Sequence, residues 1–550
     1  MKSDIQLQKE YDFRQKLISD IEGRIQSFIS SYCLKYKSNI GFMLVYPLIR
    51  LEERCFELNQ GGNLSWIEDE RYAISWFIRQ IAKFSVSQNQ SYEFNNTEYQ
   101  LFKNVYPQIK DIWDDYQYII RLNDMNSYGK YDIDMNSDVI QIIRPAIMHT
   151  MIDSAIYGNG LHDREGMAKD KIAAEKVSRY LQTRDLQQLR KIALGKDKDF
   201  IELCITRVDK DFSKMGGNIT SAYIENLSNL RRFIGFLYSI CQFQLFSKFN
   251  RIPGIGIKKD SLVFSYTQSE FIEITYKAIR IPIEQLKLFI EYFTFPTDNE
   301  GTLQEFPLIL HNEKIYFIPS SFLLNDWHFN IPNGHYYKKI EITNRNNTIA
   351  HTIVQWVADR AEKFPNIVIS MEKDYQKVAH QQSLDGSEID LALYDLDKNV
   401  LLIIECKWQE NVYNPTENYL NIQRIFNKVF KKQLPTHEKF LRRKENIDYI
   451  FDYDQRVVEK SNNVDIHYIM LDKRVQYHHG NKHLVTVYMM LLLINIYAQD
   501  DGILRLDELI SKVESFETEV DYELLGSCTE FILDGDKVSA EYLNYYYLEP

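Results

Sequence analysis

Two β-strand patterns joined by a short polar turn, at residues 387–408, constrain the fold of this chain more than any other segment. The second pattern contains a continuous apolar run, Leu401–Ile404, which is typical of a strand that is covered on both faces. The residues between the two patterns, 395–399, are polar and favour a turn. Charged residues also stand inside the strand patterns, where a buried sheet ordinarily has few. The segment therefore predicts a buried β-hairpin that contains candidate catalytic residues.

The charged residues of this hairpin fall on one face if its loop has an even number of residues. With a two-residue loop at 397–398, Asp390 lies directly opposite Glu405, and the same register puts Glu388 opposite Lys407. Directly opposed residues share a face, with Cβ atoms about 4.5–5.5 Å apart, and alternate residues of one strand also share a face. The register therefore predicts four charged side chains on one face. A loop of odd length would separate the two acids.

Two carboxylates held this close repel each other unless a positive charge lies between them. Asp390 and Glu405 supply oxygen ligands that suit Mg²⁺ or Mn²⁺, and Mg²⁺ binds through one or two carboxylates plus waters and substrate phosphate. Such an ion polarises a phosphoryl oxygen and lowers the pKa of a bound water. Lys407 is then placed to orient or deprotonate that water and to neutralise charge on the phosphorane. The alternative is a surface hairpin with a Glu388–Lys407 ion pair, which the apolar run disfavours.

On these residues the segment resembles the core of the PD-(D/E)XK nuclease superfamily, especially its restriction-endonuclease-like and Mrr-like members. In that family a helix with an acid precedes a strand with Asp, a strand ending in (D/E)-x-K, and a helix that often carries Gln. Glu405-Cys406-Lys407 matches the (D/E)-x-K element and Asp390 matches the metal-binding Asp, although no Pro precedes it. The resemblance, over residues 345–480, implies catalytic roles for Asp390, Glu405 and Lys407. It also implies Mg²⁺ or Mn²⁺ held by Asp390, Glu405 and the main chain of Cys406.

The helix that precedes the hairpin provides the candidate for the family's helix acid. Residues 346–364 have apolar residues at helical spacing, and Pro365 ends the helix. Glu362, near the end of this helix, is the candidate catalytic acid, with Asp359 behind it. The alternative is that both belong to a solvated helix end.

A second helix is predicted after the hairpin, at 419–432, from its amphipathic pattern. Gln423 and Gln433 are the candidates for the family's helix glutamine, and Gln433 is preferred; the alternative is an ordinary surface position. Basic residues cluster in and after this helix: Lys428, Lys431, Lys432, Lys439, Arg442, Arg443 and Lys444. They either follow a nucleic-acid backbone or form a solvated face.

Length and composition predict an α+β multidomain protein. The 550 residues suffice for about two to four domains. We expect a mostly helical region at 1–250 for recognition or partner binding, and a small α/β connector at 251–340. A restriction-endonuclease-like α/β core with a mixed sheet is expected at 341–480, and a helical or mixed segment at 481–550. The net charge of −12 requires a nucleic-acid-binding protein to concentrate its positive charge locally.

Other features of the sequence concern the cellular location of the protein. The six cysteines include no CxxC pair, so neither a zinc site nor a disulfide framework is predicted. The apolar run at 484–498 is too short to span a membrane. His478, His479 and His483 are interpreted as loop residues. These features favour a cytoplasmic protein without membrane association.

The resemblance implies a metal-dependent endonuclease that hydrolyses phosphodiester bonds, with DNA as the expected substrate. Defence of a bacterium against foreign DNA is the role that restriction-like relatives suggest. Two alternatives stay open: a non-enzymatic interaction protein that uses the nuclease-like fold as a scaffold, and an RNA-cleaving effector. A protein partner or a second copy of the chain is a further candidate partner.

Overall fold

The structure is a computed structural model that describes most of the chain. The described residues are 4–58, 64–84, 94–128, 132–134, 139–143, 152–153, 164–213, 219–249, 262–298, 300–343, 351–376, 388–408, 424–473, 475–479, 481–498, 502–516, 522–533 and 536–547. The chain divides into two compact units. One unit consists of residues 14–122 and 164–345, and the other of 1–13, 123–163 and 346–550.

The described helices are α1 (Asp4–Tyr36), α2 (Tyr46–Leu58), α3 (Leu64–Ala82), α4 (Asn96–Tyr128), α5 (Arg164–Gln182), α6 (Leu186–Ala193), α7 (Lys198–Ser213), α8 (Leu227–Phe249), α9 (Gln268–Ile279), α10 (Ile283–Phe293), α11 (Ser320–Leu323), α12 (Trp327–Lys338), α13 (His351–Ala361), α14 (Leu434–Leu441), α15 (Lys444–Ile450), α16 (Gln455–Val458), α17 (Val487–Tyr497) and α18 (Leu506–Glu514). The described strands are β1 (Asp132–Asp134), β2 (Val139–Ile143), β3 (Ile152–Asp153), β4 (Phe264–Thr267), β5 (Ile309–His311), β6 (Lys314–Phe317), β7 (Ile367–Asp374), β8 (Glu388–Asp395), β9 (Val400–Lys407), β10 (Asp465–Asp472), β11 (Val475–His479), β12 (Lys482–Thr486), β13 (Tyr522–Leu533) and β14 (Asp536–Tyr547). Two π-helices, Gly41–Val45 and Val429–Gln433, lead directly into α2 and α14.

The first unit, 14–122 with 164–345, is mostly helical. It also contains a three-stranded antiparallel sheet in the order β4-β6-β5. Thr267 and Glu270 form a capping box that starts α9 immediately after β4. Helices α7 and α8 approach closely at Gly235, where an added Cβ would lie 2.6 Å from the Cα of Ile205. The described part of the predicted connector therefore lies in the same unit as most of the helical N-terminal region.

The second unit is built on a seven-stranded mixed sheet in the order β3-β11-β12-β10-β9-β8-β7. Strands β7, β8 and β9 form an antiparallel meander, and β10 then pairs parallel to β9 after the helical segment 424–458. Leu402 and Ile404 belong to a core on one face that includes α13, α17 and α18. Leu401 and Ile403 belong to a core on the other face that includes α14, α15 and α16. The prediction that the apolar strand is covered on both faces is confirmed.

The C-terminal part of this unit mixes helices and strands. Strands β13 and β14 form a long hairpin and join β1 and β2 in a four-stranded sheet of order β1-β2-β14-β13. His478 and His483 face each other on neighbouring strands β11 and β12, so the interpretation of these histidines as loop residues is wrong. His479 also lies on β11.

The α+β multidomain architecture, with a helical N-terminal region and a C-terminal mixed sheet, is confirmed. Among the helices that the structure describes, none has the length and apolar character needed to cross a lipid bilayer.

Candidate active site

The hairpin formed by β8 and β9 has the register that the sequence predicts. Asp395 pairs with Val400 and Leu391 pairs with Ile404. The turn has the four residues 396–399 between the last paired positions, and is closed by the N–H of Asn399, which donates to the carbonyl of Asp395 at 2.9 Å. It is longer than the expected two residues, but its length is still even. The register is therefore unchanged, and it places Asp390 opposite Glu405.

Asp390, Glu405 and Lys407 meet at one end of this hairpin. The Lys407 ammonium lies 2.7 Å from Glu405 Oε2 and 3.3 Å from Asp390 Oδ2, so it bridges the two carboxylates. The N–H of Cys406 donates to Asp390 Oδ2 at 2.7 Å and ties the two strands together. Glu388, the fourth charged residue of the predicted face, is exposed at the start of β8.

The burial of this cluster shifts the pKa values of its charged side chains. The Glu405 side chain is fully buried, whereas Asp390 and Lys407 keep 22% and 24% exposure. Burial and the neighbouring Glu405 carboxylate raise the pKa of Asp390 to about 7, despite the opposing effect of Lys407. Burial alone would lower the pKa of Lys407, but the two carboxylates outweigh it and raise that pKa. The cluster therefore disfavours two ionised carboxylates and holds Lys407 as a cation.

Glu405 has a second partner that the sequence analysis missed. His437, on α14, donates from Nε2 to Glu405 Oε1 at 2.6 Å, and its Nδ1 lies 2.7 Å from the hydroxyl of Tyr375. Burial raises the pKa of Glu405, but the His437 hydrogen bond and the Lys407 charge outweigh it, so that pKa is lowered. A signal was present in the sequence: His437 follows Gln433 by four residues, which puts both on one helix face.

The predicted helix acid is not brought to this cluster. Glu362 is exposed just after α13 ends at Ala361, next to the start of β7 at Ile367. The cluster lies near the other end of β7, beside Glu372, and five strand residues span about 17 Å. Glu362 is thus at the wrong end of the sheet, and Asp359, also exposed, accepts a hydrogen bond from a residue of its own helix. The assignment of Glu362 to the site is corrected.

Glu372 is the acid that the β7–β8 register brings next to Asp390. The flanking pairs Met371–Leu391 and Lys373–Ile389 put Glu372 opposite Asp390. Glu372 has a φ of 49°, a left-handed conformation that distorts the strand at this point. Its carboxylate contacts Nδ1 of His351, at the N-terminus of α13. The start of the helix, and not its end, is therefore near the cluster.

Gln433 lies one helical turn before His437, as the last residue of the π-helix. Its Oε1 is buried and has no hydrogen-bond partner among the described residues. The other candidate, Gln423, lies outside the described residues. Gln433 is therefore on the helix face that contacts the cluster, although no contact with Asp390 or Glu405 is described.

The helical segment after the hairpin exposes positive charge. Arg442 pairs with Glu438 at 3.0 Å, and Lys444 is half-buried and pairs with Asp448 at 3.0 Å. The remaining members of the predicted basic cluster are exposed: Lys428, Lys431, Lys432, Lys439 and Arg443. Because α14 also carries His437, this exposed basic surface belongs to the helical segment that contacts the site.

The donors present suit Mg²⁺ or Mn²⁺. Asp390 and Glu405 offer carboxylate oxygens, and the Cys406 main chain lies between the strand positions of Glu405 and Lys407. The Cys406 thiol packs in the apolar core, where burial raises its pKa, so its sulfur is not a ligand. Among the described side chains no group of three or more His, Cys, Asp or Glu could hold a metal ion. Two carboxylates completed by waters and phosphate nevertheless match the way Mg²⁺ is commonly bound.

Comparisons of this chain with protein-family models, with curated proteins and with solved structures found no match.

Proposed function

We propose that this protein is a metal-dependent endonuclease that hydrolyses phosphodiester bonds in DNA. The observation that carries the proposal is the contact of Lys407 with both Asp390 and Glu405 at the end of one hairpin. Two acids on neighbouring strands with a lysine two residues after the second are what the resemblance to PD-(D/E)XK nucleases requires. The raised pKa of Asp390 adds support, because it marks a site that gains from additional positive charge.

In this proposal Asp390, Glu405 and the Cys406 main chain hold Mg²⁺ or Mn²⁺. The ion supplies polarisation of a phosphoryl oxygen and a water of lowered pKa. Lys407 remains protonated at neutral pH, because its pKa is raised by the two carboxylates. It therefore serves as a hydrogen-bond donor and a positive charge for the reacting phosphate, and not as the base.

DNA is proposed as the substrate because of the resemblance and the exposed basic surface beside the site. Lys431 and Lys432 stand on the helical segment that leads into α14 and extend positive charge beyond the site itself. Such a surface binds a phosphate backbone without regard to sequence. We also propose a cytoplasmic location and a role in defence against foreign DNA, both of which follow from the sequence and its resemblance.

The test is a cleavage assay with the purified full chain. Supercoiled DNA, linear DNA, single-stranded DNA and RNA are incubated with Mg²⁺, with Mn²⁺ or with excess EDTA. We expect DNA cleavage only with a divalent ion, and a loss of about 10²-fold or more in Asp390→Asn and Glu405→Gln. The matched control is Asp397→Asn, which removes an exposed acid in the turn of the same hairpin and should retain wild-type cleavage.

Undiminished cleavage in EDTA, or in both site variants, would overturn the proposal. Cleavage of RNA alone would support the RNA-cleaving alternative. Nucleic-acid binding without cleavage under any condition would support the scaffold alternative.

A further inference from the structure

We infer that His437, itself held by Tyr375, is a positioning residue that fixes Glu405 so that only one of its oxygens is available to a metal ion. The inference rests on the proposed metal-dependent function. It concerns residues that the (D/E)-x-K pattern does not contain, and it follows from three observations on contacts, burial and packing.

The first observation is that the two oxygens of Glu405 have different partners. Oε1 accepts a hydrogen bond from His437 at 2.6 Å, and Oε2 accepts one from Lys407 at 2.7 Å. Lys407 also contacts Asp390, so Oε2 is the oxygen on the side of the second acid. His437 therefore occupies Oε1, and a metal ion held by both acids would bind Glu405 through Oε2, the oxygen next to Lys407.

The second observation is burial. The side chains of Glu405 and His437 are both fully buried, and Tyr375 is fully buried as well. A buried carboxylate that loses its hydrogen-bond donor leaves a charge without compensation, which is strongly unfavourable. Rotation of Glu405 away from His437 is therefore costly, and the orientation of its carboxylate is fixed.

The third observation is that the donor is itself anchored. The Tyr375 ring stacks on Phe440 with centroids 3.9 Å apart and an interplanar angle of 14°. Phe440 follows His437 by three residues on α14, so both lie on the helix face that packs on Tyr375. The Tyr375 hydroxyl then contacts Nδ1 of His437 at 2.7 Å. The position of the imidazole is therefore set by α14 and by Tyr375, which directly follows the last residue of β7.

A ligand restricted to one oxygen favours some ions over others. Mg²⁺ requires near-octahedral geometry, whereas Ca²⁺ accepts carboxylates that bind through both oxygens. By holding Oε1, His437 is expected to favour Mg²⁺ and Mn²⁺ over Ca²⁺ at this site. Removal of a residue that hydrogen-bonds to a metal ligand typically weakens metal binding by about 10–100-fold.

The experiment measures Mn²⁺ binding by calorimetry without nucleic acid, with Ca²⁺ as competitor, and separately measures kcat and KM for DNA cleavage. His437→Leu removes the donor, His437→Gln keeps an amide donor, and Tyr375→Phe removes only the hydroxyl while keeping the stacked ring. The matched control is Phe451→Leu, which disturbs an edge-to-face contact with Tyr394 in the same core, toward the turn end of β8.

We expect His437→Leu to weaken Mn²⁺ binding by about 10–100-fold and to strengthen competition by Ca²⁺. Tyr375→Phe should weaken Mn²⁺ binding by about 2–10-fold, and His437→Gln should recover part of the loss of His437→Leu. In cleavage, kcat at a fixed Mn²⁺ concentration should fall while KM for DNA stays within about twofold, because the basic surface is unchanged. Phe451→Leu should lower thermal stability but leave Mn²⁺ affinity close to wild type.

Equal Mn²⁺ affinity in wild type and in folded His437→Leu would overturn the inference, as would an equal loss in Phe451→Leu. If His437→Leu does not fold, Tyr375→Phe decides, and wild-type Mn²⁺ affinity there overturns it. A wild-type protein that binds Mn²⁺ but cuts no nucleic acid refutes the nuclease proposal alone, since the role of His437 is still measured by binding. A wild-type protein that binds no Mn²⁺ overturns the inference whatever the cleavage result.

Discussion

Replacing Asp390 by Asn is expected to stabilise the metal-free protein, and to do so more at pH 8 than at pH 5. Burial and the Glu405 carboxylate raise the pKa of Asp390 from 3.8 to about 7 in the folded protein. Between these two values the folded state holds a proton that the unfolded state has released. The folded state binds more protons, so the stability of the wild type falls as pH rises through this range. Asn carries no such charge, and its amide oxygen can still accept the hydrogen bond from the N–H of Cys406.

The size of the effect follows from the same pKa. One pKa unit corresponds to about 1.4 kcal/mol, so a shift of about three units corresponds to about 4 kcal/mol at most. Between pH 5 and pH 7 the wild type would lose roughly 2–3 kcal/mol of this, and only a few tenths of a kcal/mol more above pH 7. Water reaches the 22% of the Asp390 side chain that is exposed, which reduces the effect. We therefore expect the advantage of Asp390→Asn to be about 2 kcal/mol larger at pH 8 than at pH 5.

Hydrogen exchange measured by mass spectrometry on peptides of β8 and β9, in EDTA, would test this prediction. It reports the opening of these strands alone, so the helical unit does not contribute. An increase of about 2 kcal/mol corresponds to roughly 30-fold slower exchange relative to wild type at the same pH. Asp397→Asn, in the turn, should show no such change. Equal protection of wild type and Asp390→Asn at both pH values would refute the electrostatic description of the cluster.

The two remaining predictions concern the lysines of the site and of the basic surface. Lys407→Ala should lower cleavage by about 10²-fold or more. In EDTA at pH 8 it should also destabilise the protein by about 2–3 kcal/mol, because the buried Glu405 and the partly buried Asp390 lose their counter-charge. A thermal melt that is unchanged in EDTA would contradict this. The double substitution Lys431→Glu and Lys432→Glu should weaken DNA binding and lower the slope of log affinity against log salt by about 2, with Mn²⁺ affinity unchanged. Lys363→Glu is the matched control, because Lys363 is exposed just after the end of α13. An equal loss of DNA binding there would argue against a localised basic surface.

The hairpin could be predicted from the sequence because its information is local. The apolar run at 401–404, the turn residues and the alternation of strands determine a register in which Asp390 faces Glu405, and pairing of Asp395 with Val400 confirms it. An extra pair of turn residues did not matter, since only the parity of the loop decides which face a side chain occupies.

What could not be predicted depends on how elements pack over long sequence separations. His437 is 32 residues from Glu405, and its contact arises only when α14 packs on the sheet. The assignment of Glu362 failed because a helical pattern shows where a helix ends but not which end of the neighbouring strand that point adjoins. The polar side chains of His478 and His483 suggested a loop, but the two residues pair on adjacent strands β11 and β12, and β12 also pairs with β10.

The charges of the cluster connect its stability with its proposed chemistry. With both acids ionised, Asp390, Glu405 and Lys407 sum to −1, in a site where Glu405 is fully buried. The protein meets this excess in part by raising the pKa of Asp390, at the expense of stability above pH 7. A divalent cation changes the sum to +1, which complements the single negative charge of a phosphodiester. The electrostatic repulsion between the two carboxylates is thus the same property that would favour binding of a metal ion and an anionic substrate. For this reason the gain in stability of Asp390→Asn and its loss of cleavage should appear together.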